Sequence, residues 1–167
     1  MVIVSSTVAV NYYLISFLAV TFDRPYMQVF FSSIAEILAY ATSGIVYRKL
    51  GARSSMSLSL AISAIGGYAT WIISSRCSDS VLTILVMLCK FGISGTYNIQ
   101  LCAMSEVYPS SFLATGFGSG HFFAVIFQMS TPFIASIDEP TPIICFSVLC
   151  TLAMFVSLLH QPIKSQI

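Results

Sequence analysis

Two ionisable side chains stand where a chain this apolar can least tolerate them. Glu36 and Lys90 each lie about ten residues into an apolar run, which at 1.5 Å per helical residue puts both near the middle of a ~30 Å hydrocarbon layer. A charge at that depth costs at least ~2.5–3.5 kcal/mol on insertion scales, so each needs a partner, a water-filled cavity or the loss of its charge. Two chemistries fit. Facing a cavity, the two groups bias which charged solutes enter it. Facing one another, or a backbone group or tyrosine hydroxyl, they form a structural pair of little net stability whose separation is costly.

Other polar and aromatic groups share these runs. Tyr97, Asn98 and Gln100 follow Lys90, and Asn98, eight residues on, lies within roughly 80° of Lys90 around a helix. That suits a polar stripe lining a cavity and equally suits hydrogen bonds between helices. Tyr12 and Tyr13, with Phe122, Phe123 and Phe127, offer ring faces to an organic ion, by cation–π attraction if it is positive; aromatic rings also simply fill bundles. His121 follows Gly116-Phe117-Gly118-Ser119-Gly120, small residues that favour close helix packing over hinging, and a lone histidine there reads as hydrogen-bonded structure before a proton relay.

These residues sit on elements that composition defines. Of 167 residues, 57% are hydrophobic and 8% charged, against roughly 25% charged in a soluble domain, which excludes a water-soluble globule. Seven Lys+Arg against six Asp+Glu leave a formal charge of +1, with no basic run to engage a phosphate backbone, so nucleic acid is not an expected partner. The five cysteines, Cys77, Cys89, Cys102, Cys145 and Cys150, make no CxxC pattern with histidine, and neither a metal nor a cofactor is expected. No GxSxG, HExxH, Walker-type or paired-acid constellation occurs, so an enzyme has no place for its chemistry.

Charges punctuate the chain, and runs of about 20 apolar residues between them predict an all-α integral membrane bundle of six crossing helices. They fall near 3–22, 27–47, 54–75, 80–104, 113–137 and 141–160, one domain over 1–167 with short loops. Pro or Gly beside a charge marks each turn, as in Asp23-Arg24-Pro25 and Asp138-Glu139-Pro140, and Pro132 interrupts the fifth run. The first run lacks the positive n-region of a signal peptide, and Asn11-Tyr12-Tyr13 breaks its apolar core, so a crossing helix is the better reading. Arg48, Lys49, Arg53 and Lys164 share one face, while Arg24 and Arg76 stand on the other beside Asp23, Asp79, Asp138 and Glu139. By the positive-inside rule both ends face the cytoplasm.

Three segments carry a resemblance. Glu36-Ile37-Leu38-Ala39-Tyr40, followed by Arg48-Lys49-Leu50-Gly51-Ala52-Arg53, is similar to the E-x-P-A-Y segment and D-R-x-G-R-R turn of the organic-ion branch of the major facilitator superfamily. Lys90-Phe91-Gly92-Ile93 with Glu106-Val107-Tyr108-Pro109 resembles the opening and close of helix ten in that branch. Ala114-Thr115-Gly116-Phe117-Gly118 resembles the start of helix eleven, and Asn11-Tyr12-Tyr13 weakly resembles a Tyr-Tyr-Gly segment of helix seven. The resemblance covers almost the whole chain and implies the C-terminal six-helix half of a twelve-helix fold, working by alternating access between two halves.

The departures are equally specific. Arg48, or Tyr47 if the register slips by one, stands where the family turn has Asp, Ala52 replaces its first Arg after the Gly, and Leu113 falls where Arg is common. The resemblance implies a cytoplasmic gating network that is partly dismantled here, with Glu106 still able to reach Arg48, Lys49 or Arg53. The expected function is secondary transport of a small organic solute, with Tyr12, Tyr13, Glu36, Lys90, Tyr97 and Asn98 at the cavity. The expected partners are that solute, the lipid bilayer and a second six-helix half, either missing from this chain or supplied by another subunit; a plasma membrane is expected over an organelle. The alternative, favoured by the lost Asp and Arg, is a transport-inactive accessory subunit of a membrane complex.

Overall fold

The structure, a computed structural model, describes residues 2–21, 25–73, 79–107, 109, 111–137 and 141–159. In lipid every backbone N–H and C=O must be satisfied within its own segment, so long apolar runs become helices. The described residues form α1 (Val2–Thr21), α2 (Pro25–Ile73), α3 (Asp79–Val107), α4 (Leu113–Gln128), α5 (Thr131–Ala135) and α6 (Thr141–Leu159), with no strand among them. Prolines sit where their missing N–H does least harm: Pro25 opens α2, and Pro142 lies in the first turn of α6. Pro132 cannot donate to the carbonyl of Gln128, and α4 stops at that residue before α5 resumes at Thr131.

Helix α2 is two helices joined at a fold. Gly51 has φ 77° and ψ 168°, a left-handed conformation that a Cβ disfavours, and it separates limbs 25–50 and 52–73. The Ser55 hydroxyl donates to the carbonyl of Val46 at 3.0 Å, whereas nine residues of straight helix would place them about 13 Å apart. Contacts with α3 show the reversal again. Along the first limb, Glu36, Ser43 and Tyr47 meet Lys90, Asn98 and Glu106 in rising order. Along the second, Met56 packs near Ile99 while Ser63 bonds the carbonyl of Cys89. One limb therefore runs parallel to α3 and the other antiparallel.

The remaining helices follow the same alternation. Tyr12 lies against Tyr97 and Ser16 against Lys90, so α1 is antiparallel to α3; Ser63 meets Cys150 and Arg53 the carbonyl of Leu158, so α6 opposes the second limb. The fold at Gly51, the start of α1 and the end of α6 thus share one end of the bundle. Gly92 permits the closest approach of two backbones, since a Cβ there would meet the carbonyl oxygen of Ser59 at 2.6 Å and the amide nitrogen of Ser63 at 2.7 Å. Leu14, Leu60, Ile93 and Phe146, from α1, α2, α3 and α6, fill the core between them.

The outer surface is as apolar as the core. Ile37, Ile65, Phe133 and Leu159 are 66%, 64%, 76% and 81% exposed, and greasy helix faces turned outward on every side suit lipid rather than water. Among the described residues three helices are long and apolar enough to cross a membrane, Tyr26–Ile73, Val81–Glu106 and Thr141–Leu159, with Val4–Leu18 apolar but shorter. The expected count of six crossings is not reached by this measure. The two limbs that meet at Gly51 are taken together as one helix by length, although Gly51 itself is not helical, and Pro132 leaves α4 with 16 residues. Of the charges on which the expected sidedness draws, Arg48, Lys49 and Arg53 share the Gly51 end, while Asp23, Arg24, Arg76, Asp138, Glu139 and Lys164 lie outside the described residues.

Candidate functional site

Side chains from three helices converge around Lys90. The lysine rises from α3 two residues before Gly92, where the second limb of α2 presses closest, and its side chain is 6% exposed. Its ammonium donates to the Ser16 hydroxyl at 2.6 Å and lies 3.6 Å from the centre of the Tyr12 ring. Ser16 in turn donates to the carbonyl of Tyr12, one helical turn earlier, at 2.7 Å, which orients its lone pairs toward the lysine. The second carboxylate oxygen of Glu36, on the first limb of α2, is 4.0 Å from the ammonium. That is an ion pair without a direct hydrogen bond.

Glu36 is stabilised mainly by hydroxyls. Its first carboxylate oxygen accepts from Tyr12 and, at 2.8 Å, from Tyr40, a single turn along the same helix. Tyr12 therefore serves both charges at once, its ring beneath the cation and its hydroxyl on the anion. Its ring also meets Tyr13 edge-on at 5.4 Å and Tyr97 at 6.0 Å. Tyr13 and Tyr40 are each 41% exposed and Glu36 is 21% exposed, so the cluster is sealed on its lysine side and open on its tyrosine side. Asn98 lies farther along α3, donating to Ser43 at 2.7 Å and to the carbonyl of Tyr40 at 3.5 Å.

Of the cavity residues expected from sequence, Tyr12, Tyr13, Glu36, Lys90 and Tyr97 are brought together, and Asn98 joins through Tyr40. The sequence reading misses Ser16 and Tyr40 as members. Tyr40 carries a signal, the four-residue spacing from Glu36 that stacks side chains on one helix face; Ser16 carries none, because its role depends on how α1 meets α3. Phe122, Phe123 and Phe127 are exposed on α4, and Phe122 and Phe123 pack edge-on against each other at 5.7 Å, apart from the cluster. His121 stacks on Phe117 at 5.5 Å. Within the small-residue segment, Gly120 is buried near Met104 while Gly118 faces open space.

At the Gly51 end the arrangement is different. The Tyr47 hydroxyl donates to Glu106 at 2.6 Å, and the guanidinium of Arg53 reaches the carbonyl of Leu158. Arg48 and Lys49 are exposed and form no ion pair among the described residues; there Glu36 with Lys90 is the ion pair. Among the described residues Glu106 is thus joined to Tyr47 and to none of the three cations. The partnership of Tyr47 with Glu106 is what the sequence reading misses here, since the contact spans 59 positions of sequence and follows only from the parallel packing of the first limb on α3. No group of three metal-ligating side chains occurs among the described residues.

The chain has weak relatives among curated proteins. No family profile matches it. It is 26% identical over 133 residues to the synaptic vesicle 2-related protein of Pongo abelii and 28% identical over 130 residues to that of Rattus norvegicus, covering 80% and 78% of this chain and 23% and 22% of those proteins. It is 25% identical over 152 residues to organic cation/carnitine transporter 4 of Arabidopsis thaliana, covering 88% of this chain and 28% of that one. The chain spans about a quarter of the length of the curated relatives it matches. Apolar helices and these relatives together support a multi-pass helical membrane protein, weakly similar to proteins of which one is named a transporter.

Proposed function

We propose that this chain is a six-crossing half of a major facilitator transporter, equivalent to its C-terminal half, and that with a second six-helix half it carries a small organic solute by alternating access. The observation that carries the reading is the Glu36–Lys90 cluster, two charges at mid-helix whose tyrosine side stays open. A purely structural pair has no need of an open flank, and a solute site does. Tyr12, Tyr13 and Tyr97 then supply ring faces, Glu36 and Lys90 supply charge, and Asn98 with Tyr40 extends the polar lining. The six crossings are α1, the two limbs of α2, α3, α4 with α5, and α6, and the Gly51 end, holding Arg48, Lys49 and Arg53, is cytoplasmic.

The relatives support this reading by name for one of them, organic cation/carnitine transporter 4. A second reading rests on the Gly51 end. With Glu106 bonded to Tyr47 and Arg48 and Lys49 outside any ion pair among the described residues, the gating network is reduced, as in an accessory subunit that no longer transports. Uptake into proteoliposomes by the complete protein that carries this chain separates the two. Transport requires that Glu36→Gln and Lys90→Met each impair uptake of a solute the wild type accumulates. An accessory subunit accumulates none.

A further inference from the structure

The cluster holds a cation already, and that cation belongs to the chain. A receptor for an organic ammonium ion consists of an aromatic face, a carboxylate and a hydroxyl acceptor set around one point in a partly desolvated pocket. The Tyr12 ring, Glu36 and Ser16 make that set, and the point is filled by the Nζ atom of Lys90, 3.6 Å from the ring centre, 4.0 Å from the carboxylate and 2.6 Å from the hydroxyl. We infer that Lys90 is a specificity-determining residue, a tethered ammonium that occupies the seat a free organic cation would take. The inference rests on the proposed solute site and names what that site excludes.

The consequence follows from charge accounting in a poorly solvated setting. A simple monovalent cation entering beside Glu36 must displace Lys90, whose ammonium then loses its carboxylate and its ring while still buried, a cost that a buried unpaired charge makes large. A solute carrying a negative group compensates the displaced lysine, so the native site admits anions or solutes bearing both charges and discriminates against simple cations. Without the lysine charge the same ring and carboxylate become an open cation seat. Tyr40, which donates to Glu36 from the open flank, then stands beside the entering ion.

The test is equilibrium binding of radiolabelled tetraethylammonium to the complete protein in nanodiscs. Lys90→Gln is expected to tighten binding by about tenfold or more over wild type, in line with a desolvated cation–π contact. Lys90→Arg, which keeps a cation in the seat, stays at the wild-type value, and the double variant Glu36→Gln/Lys90→Gln loses the gain with the carboxylate. If Lys90→Gln fails to fold, Ser16→Ala serves instead; it removes the lysine's hydroxyl partner and is expected to tighten binding about threefold, in line with the modest net worth of one hydrogen bond. Wild-type binding as tight as Lys90→Gln, or no gain in any folded variant, overturns the inference. The two readings fail separately: uptake of an organic anion by wild type with no gain in the variants keeps transport and removes the lysine's role, while a gain in binding without uptake by any form does the reverse.

Discussion

The chain carries two charged clusters, and its environment treats them in opposite ways. At mid-helix, Lys90 and Glu36 share Tyr12, Ser16 and Tyr40, so that each ionised atom has a partner. At the Gly51 end, Tyr47 bonds Glu106, Arg53 reaches a backbone carbonyl, and Arg48 and Lys49 are exposed without an ion pair among the described residues. The residue types are nearly the same in both. What differs is dielectric: a charge at a water-facing end is solvated whatever its neighbours do, whereas one at mid-helix must be compensated by protein. Charges at a similar depth are therefore weak evidence of a network at an end and strong evidence of one at mid-helix.

Substitutions can break that contrast, and their effects descend with burial. The largest is expected for Lys90→Met, which leaves Glu36 without its cation and should destabilise the detergent-solubilised protein by about 3–5 kcal/mol, read from its unfolding midpoint. Adding Glu36→Gln should recover part of that loss, and a double cycle that sums as independent sites would refute the pairing. Tyr12→Phe keeps the ring under the ammonium and removes one hydroxyl from the carboxylate; the expected cost is about 1–2 kcal/mol by the same measurement. Tyr47→Phe, at the solvated end, should cost less than about 1 kcal/mol, and a loss as large as that of Tyr12→Phe would erase the distinction between the clusters. Arg48→Gln should change stability by no more than about 0.5 kcal/mol at any salt concentration.

Much of the mid-helix cluster is legible in the amino-acid sequence, for a physical reason. Glu36 and Lys90 announce themselves because apolar sequence surrounds them, and the cost of a charge in lipid leaves few interpretations. Tyr12 and Tyr97 are visible as aromatic neighbours. Ser16 is not, because a serine in a membrane helix usually bonds its own preceding turn, as Ser16 also does, and its second contact depends on the crossing of α1 and α3. The end cluster reads less well. Its sequence points Glu106 toward Arg48, Lys49 or Arg53, yet the parallel packing of the first α2 limb on α3 delivers Tyr47 to it. Helical runs are readable from hydropathy throughout, while the number of crossings is not settled by length alone, because the two limbs of α2 abut at Gly51 with no loop between them.

The central claim is that the mid-helix cluster faces a water-reachable cavity instead of serving only to hold helices together. Tyr40 and Leu38 lie on one helix, two residues and so about 160° apart around it, 41% and 52% exposed, the first on the flank of the cluster and the second on the opposite side. The most direct measurement is the rate at which a membrane-impermeant, charged thiol reagent labels Tyr40→Cys and Leu38→Cys in the complete protein in its membrane, corrected for labelling of the native cysteines. The account predicts that Tyr40→Cys reacts and Leu38→Cys does not. Equal inertness of the two positions would contradict it and leave the Glu36–Lys90 pair a structural one.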